Sequence, residues 1–188
     1  KTWIIRQLLH PIILSISLKT YDTLSFGKIF LEITKRLHFI SKAFEPQERQ
    51  GGRPSWANRQ MANALAILAL HQWKKRERFD AHRRHLSELY RTELNIPDMT
   101  HPILPSQAEP ALLRYPLSTP HRDKILDACK QARLELGDWY VAPIAPKGID
   151  EQAAGYDRTK TPNAVSLSQK MINLPTHINI SEADAKKI

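Results

Sequence analysis

Residues 112–118 read Leu-Leu-Arg-Tyr-Pro-Leu-Ser. The run is short and apolar and lies between two proline-punctuated segments, so it reads as a β-strand. Downstream, residues 120–136 read as a helix, with Pro120 near its start and Gly137 just past its end. Residues 139–144 (WYVAPI) read as a second strand and 145–163 as a long loop. Residues 165–170 form a short helix, and 171–174 a third strand that stops at Pro175. A last helix follows, with Ser181 at its N-cap and acids in its first turn. Helices alternating with three strands give a small sheet with helices packed on it, an α+β lobe within the α/β class.

Upstream of 112–118, residues 97–110 hold four prolines and read as a linker. Before them, one helix, or two joined end to end, covers about 60–95. Its first part, 61–73 (MANALAILALHQW), is apolar on nearly every side. Such a helix is buried all round, here against a missing domain or a second subunit. The apolar stripe then narrows to Phe79, Leu86, Leu89, Tyr90 and Leu94, so the helix passes from one lobe to another. Residues 45–54, with Gly51-Gly52 and two prolines, are a connecting loop.

Residues 1–45 read as a helical hairpin. Residues 3–18 are strongly apolar but shorter than the roughly 20 residues that span a bilayer, and they contain Arg6, His10 and Pro11. A helix bent at Pro11 is expected, either buried or in contact with a membrane surface. In the second arm Phe26, Ile29, Phe30, Ile33, Leu37 and Ile40 recur at three and four residues, with Lys28, Glu32, Lys35 and Arg36 largely on the other face. Three segments follow: the hairpin at 1–45, a linker and buried helix at 46–75, and a C-terminal α+β domain at 76–188.

The chain has 188 residues, 41% hydrophobic and 25% charged, as ordinary globular proteins do, and a net charge of +9 that favours anionic partners. Much of the charge lies in the run Lys74 to His85, where Glu77 and Asp80 interrupt it and no nucleic-acid motif accompanies it. Nucleic acid is therefore not the expected partner. The single cysteine, Cys129, sits in an apolar stripe and reads as a packed thiol. With no visible signal peptide, a reducing, cytoplasmic setting is expected. Both ends look cut: residue 1 is Lys, and the last helix stops after about two turns.

No paired catalytic carboxylates, phosphate loop or Ser/His/Asp set stands out. His82 and His85 share a helix face, but Arg83 and Arg84 lie between them, so a solvated pair is expected rather than a metal site. Ser166 to Lys170 superficially has the serine–lysine spacing of a cofactor-binding lysine. Nothing nearby in sequence desolvates Lys170, so a short exposed helix is expected. Lys147 reads as a turn residue.

Four landmarks come in order. They are residues 61–75 followed by Arg83-Arg84 and Tyr90-Arg91-Thr92-Glu93-Leu94; Arg114-Tyr115-Pro116-Leu117; the helix ending at Gly137; and Ile172-Asn173-Leu174-Pro175-Thr176-His177. Over residues 55–188 this order resembles the C-terminal half of the DegT/DnrJ-type sugar-nucleotide aminotransferases. The Gln-Leu pair that ends the family's Ala-rich helix is Gln72-Trp73 here. The resemblance implies a fold-type I enzyme, whose large domain holds pyridoxal phosphate on a lysine and whose small C-terminal domain closes the site. It implies a homodimer with shared active sites, acting on nucleotide-linked keto sugars in sugar or cell-surface polysaccharide biosynthesis. It also implies that the catalytic lysine lies upstream, so no catalytic residue is assigned here, and that 1–45 is a subgroup insertion.

Asn58 and Arg59 carry the implied link to the cofactor. The family's Gly-Tyr-Asn-Tyr-Arg aligns with Trp56-Ala57-Asn58-Arg59-Gln60, where the family's Asn reaches the cofactor phosphate of the neighbouring subunit. Asn58 fits either that role or a helix N-cap. Arg59 replaces the missing positive charge. The family's Pro-x-His after the second small-domain strand is Pro143-Ile144-Ala145 here, without histidine. A non-catalytic basic helical module that docks on a membrane surface or a partner through 1–45 is the alternative reading.

Overall fold

The computed structural model describes residues 2–20, 26–40, 44–54, 56–105, 107–132, 134, 136–137 and 139–188. They form two units, 1–73 and 74–188, each described by itself.

In the second unit, the stretch that reads as a strand forms β1 (Arg114–Ser118), which pairs antiparallel with β2 (Met171–Pro175). Tyr115 lies opposite Leu174 and Leu117 opposite Ile172. These cross-strand pairs are buried and put four large side chains on one face of the sheet. The long helix α5 (Arg76–Glu93) covers that face with Leu86 and Tyr90, and the single turn α8 (Glu182–Ala185) adds Ala185. The Tyr90 and Tyr115 rings lie tilted at 5.6 Å between centroids, and the Tyr90 hydroxyl donates to the Pro175 carbonyl at 2.9 Å. The remaining helices of the unit are α6 (Arg122–Gln131) and α7 (Pro162–Lys170), with a 3-10 turn at Arg158–Lys160.

The expected third strand at 139–144 does not form. Residues 141–146 are a run of bends, and Tyr140 takes a left-handed φ of 66°. Pro143 and Pro146 remove two backbone donors from this stretch, which suits it poorly to a ladder. Instead, Gly137 makes an isolated antiparallel bridge to Asn173, while Thr100, in the expected linker, bridges Ser118. A Cβ on Gly137 would fall 2.6 Å from Arg114 Nη1 and 3.3 Å from Asn173 Cβ. Gly137 is therefore a point of close approach rather than a helix C-cap. The helix expected to reach residue 136 ends at Gln131. The final helix is capped as expected, with Ser181 and Asp184 closing a capping box, but it lasts one turn.

The first unit holds α1 (Thr2–Lys19), α2 (Phe26–Arg36), the single turn α3 (Pro46–Arg49) and α4 (Asn63–Trp73). The hairpin forms as expected: α1 and α2 pack together, and α1 also touches α4. Pro11 lies inside α1, which runs unbroken past it. Within this chain alone, α1 and α4 are largely uncovered. In α1 only Ile13 and Ser17 are buried, and α4 has no buried residue at all, with Ile67 70% exposed. Of the two forms expected over 60–95, one helix or two end to end, the chain takes the second, with a break at residues 74–75.

Candidate functional site

Asn58 and Arg59 lie in a turn ahead of α4. The Ala57 amide donates to the Pro54 carbonyl at 3.0 Å and the Arg59 amide to the Trp56 carbonyl at 2.9 Å. The Trp56 ring stacks on Trp3 of α1, with centroids 6.4 Å apart and planes at 28°, which moors the turn to the first helix. Asn58 and Arg59 are both exposed. Because α4 begins at Asn63, Asn58 does not sit at its N-cap, and that reading is set aside. Among the described residues Arg59 enters no ion pair. A carboxamide beside an unpaired guanidinium gives N–H donors of the kind that bind one phosphate group.

The other candidates have structural surroundings. His82 Nε2 donates to the His177 carbonyl, 3.1 Å away, and His85 Nε2 lies 3.3 Å from Glu182 Oε2. The pair, solvent-accessible at this surface, also ties α5 to α8 and the segment before it. Lys186 strengthens the same junction, 3.3 Å from Glu93 and 3.0 Å from Glu182. Hydrogen bonds from Lys186 and His85 hold the Glu182 carboxyl below the usual carboxylate range. In the basic run, Asp80 lies 3.5 Å from both Arg76 and Arg83, which dilutes the positive field.

Ser168 is buried and donates to the Val165 carbonyl one turn back, while Lys170 is exposed at the end of α7. Every described lysine is exposed. Burial pushes the Cys129 thiol up, so it behaves as a packed thiol. It lines an apolar cavity of about 390 Å³ together with Leu94, Met99, Leu117 and Ile125. A second cleft, about 420 Å³, lies between α5 and residues 102–110, with Arg84, Arg91 and Tyr115 in its wall. There Arg91 is closed on Glu88, at 2.8 Å through Nε.

Three polar contacts had no signal in the sequence. His101 bridges the Tyr115 hydroxyl, 2.8 Å from Nδ1, and the Leu94 carbonyl, 2.9 Å from Nε2. The Asn173 amide donates to the Trp139 carbonyl at 2.9 Å, and the Arg114 guanidinium lies 4.8 Å from the Trp139 ring centre. All three hold the sheet and its flanking segments together. Among the described residues no group of three His, Cys, Asp or Glu side chains is placed to hold a metal ion.

A family model described as the DegT/DnrJ/EryC1/StrS aminotransferase family matches residues 31–188. The match begins inside α2, upstream of the motifs quoted above, and takes in the Asn58–Arg59 turn and both strands. No curated protein matches the chain.

Proposed function

Because the chain belongs to the DegT/DnrJ/EryC1/StrS aminotransferase family, we propose that it is the part of a pyridoxal phosphate-dependent aminotransferase that closes over a cofactor held elsewhere in the protein. The parent is a fold-type I enzyme that moves an amino group onto a keto sugar carried by a nucleotide. The observation that carries this reading is the exposed Asn58–Arg59 turn, at the place where the family's motif reaches a neighbouring subunit's cofactor phosphate. Its donor set suits one phosphate group, so these residues fit that end of the cofactor. The cofactor, when bound, supplies an electron sink at the reacting carbon.

This chain's residues have supporting roles. Asn58 donates N–H to a phosphate oxygen, and Arg59 adds a charge-assisted bond. The stack of Trp56 on Trp3 holds the turn against rotation. The exposed α4 is the dimer and large-domain face, where Ile67, Leu70 and Trp73 find cover. Unit 74–188 is the small lobe, and the chain's net charge of +9 suits the diphosphate of a nucleotide sugar. A cofactor-bearing lysine needs a desolvated setting that lowers its pKa. The exposure of every described lysine supports a lysine outside these residues.

The test is cofactor retention by the whole protein. Asn58→Ala and Arg59→Ala should each weaken pyridoxal phosphate binding by roughly tenfold or more, as expected for a hydrogen bond to a charged group. Unchanged retention in both variants removes the proposed phosphate role.

A further inference from the structure

The α1–α2 hairpin leaves much of its large apolar surface uncovered. Its fully buried residues are mostly small or polar: Ser17 on α1 and Gly27 and Thr34 on α2, with Ile13 as the large exception. Trp3, Ile4, Leu8, Leu9, Phe30 and Leu31 are half-buried, and other large apolar residues point outward. On α1, Ile5, Ile12, Ile16 and Leu18 are exposed, and on α2 so are Phe26, Ile29 and Ile33. Phe26, Ile29 and Ile33 recur at helical spacing, so they form one continuous stripe that continues to the exposed Leu37. Small residues between helices and large apolar ones outside is the arrangement that suits lipid, because lipid gives no incentive to hide large side chains from it.

Charge selects the occupant. The described hairpin residues include the basic side chains Arg6, Lys19, Lys28, Lys35 and Arg36, and the one carboxylate among them is Glu32, 3.5 Å from Arg36. Asp22 lies outside the described residues. Lys28, Glu32 and Arg36 line a shallow groove of about 380 Å³ with Ile29 and Ile33, so charge and apolar surface alternate along one helix. Arg36 flanks that stripe, and Lys35 lies on the opposite side of α2. A headgroup layer takes the apolar stripe and leaves those charges wet against phosphate.

We propose that the α1–α2 hairpin rests on the surface of an anionic phospholipid bilayer, with the Phe26–Ile29–Ile33–Leu37 stripe in the acyl boundary and the basic side chains among the headgroups. It rests on the surface rather than crossing, because no described helix is long and apolar enough to span. The inference is independent of the cofactor reading.

The test is vesicle flotation of the full chain, with phosphatidylcholine vesicles and with phosphatidylcholine–phosphatidylglycerol vesicles. The protein should float with the anionic vesicles, and high salt should release it. The pair Lys35→Gln and Arg36→Gln should lower the partition coefficient roughly thirtyfold, since each basic residue near such a surface is worth about 1 kcal/mol. Ile33→Asp should abolish flotation, and Ile103→Asp, at a site 96% exposed outside the hairpin, should leave it unchanged. Four results overturn the proposal. They are no flotation, flotation indifferent to both salt and the Gln pair, equal loss from Ile103→Asp and Ile33→Asp, or an Ile33→Asp variant that changes oligomeric state while the parent never floats. The last result would assign the stripe to a second copy. Should Ile33→Asp unfold the chain, the salt series and the Gln pair still decide.

Discussion

Replacing Tyr90 by Phe tests how α5 is fastened to the sheet. Tyr90 is 2% exposed, and its hydroxyl donates to the Pro175 carbonyl at 2.9 Å. Phenylalanine keeps the ring against Tyr115, so little cavity opens. The loss is the hydrogen bond and the solvation of a carbonyl left without its partner, together about 1–3 kcal/mol. For a unit of about 115 residues each kcal/mol shifts the melting temperature by roughly 4 °C, so Tyr90→Phe should melt about 4–12 °C lower. The same variant has an alkaline signature. Burial pushes the Tyr90 hydroxyl from 10.0 up to about 12. Between those values the folded chain keeps a proton that the unfolded chain releases, so the folded state binds more protons and its stability falls as pH rises. Below pH 10.0 that contribution is fully present. Thermal melts followed by circular dichroism on either side of this window should therefore show the gap between parent and variant narrowing as pH rises. A gap that stays constant or widens, or a variant that melts within about 2 °C of the parent at neutral pH, refutes the reasoning.

Other perturbations read other parts of the structure. Leu86→Ala, at a fully buried site, should cost about 2–5 kcal/mol in urea titration, whereas Ile103→Ala, at a site 96% exposed, should stay within about 0.5 kcal/mol, and similar costs for the two would contradict the burial pattern. Gly137→Ala pushes the Arg114 guanidinium off the Trp139 ring and should cost about 1 kcal/mol, with a neutral result showing that the close approach is relieved elsewhere. Cys129, 9% exposed and with its thiol pushed up by burial, should react with a disulfide reagent only on unfolding, so prompt labelling of the native chain contradicts its packing.

Local patterns carried the second unit well. The strand at 112–118, the strand before Pro175 and the Ser181 cap are each set by a few neighbouring residues, and each appears with shifts of a residue or two. The failure at 139–144 came from a conflict between levels. The aromatic and β-branched residues of WYVAPI favour a strand, but Pro143 within it does not, and Gly137 had already taken the edge of Asn173. No spacing rule announces a bridge made by a lone glycine beside a tight side-chain contact. The two histidines are solvent-accessible, but their hydrogen-bond partners, His177 and Glu182, are more than ninety residues away in sequence and had no local signal. In the first unit, periodicity located α2 but could not say which way its apolar stripe faces. That depends on what packs against it, and Ser17, Gly27 and Thr34 fill the inner side. For the candidate site, Asn58 was legible only through the family's motif order. The Trp3–Trp56 stack that moors its turn joins residues fifty-three apart and left no local trace.

The aminotransferase reading is tested most directly by borohydride trapping of pyridoxal phosphate on the whole protein, followed by peptide mapping of the labelled lysine. The account predicts one labelled lysine outside the 188 residues described here. A label on any lysine within them, or no label at all on cofactor-saturated protein, contradicts it.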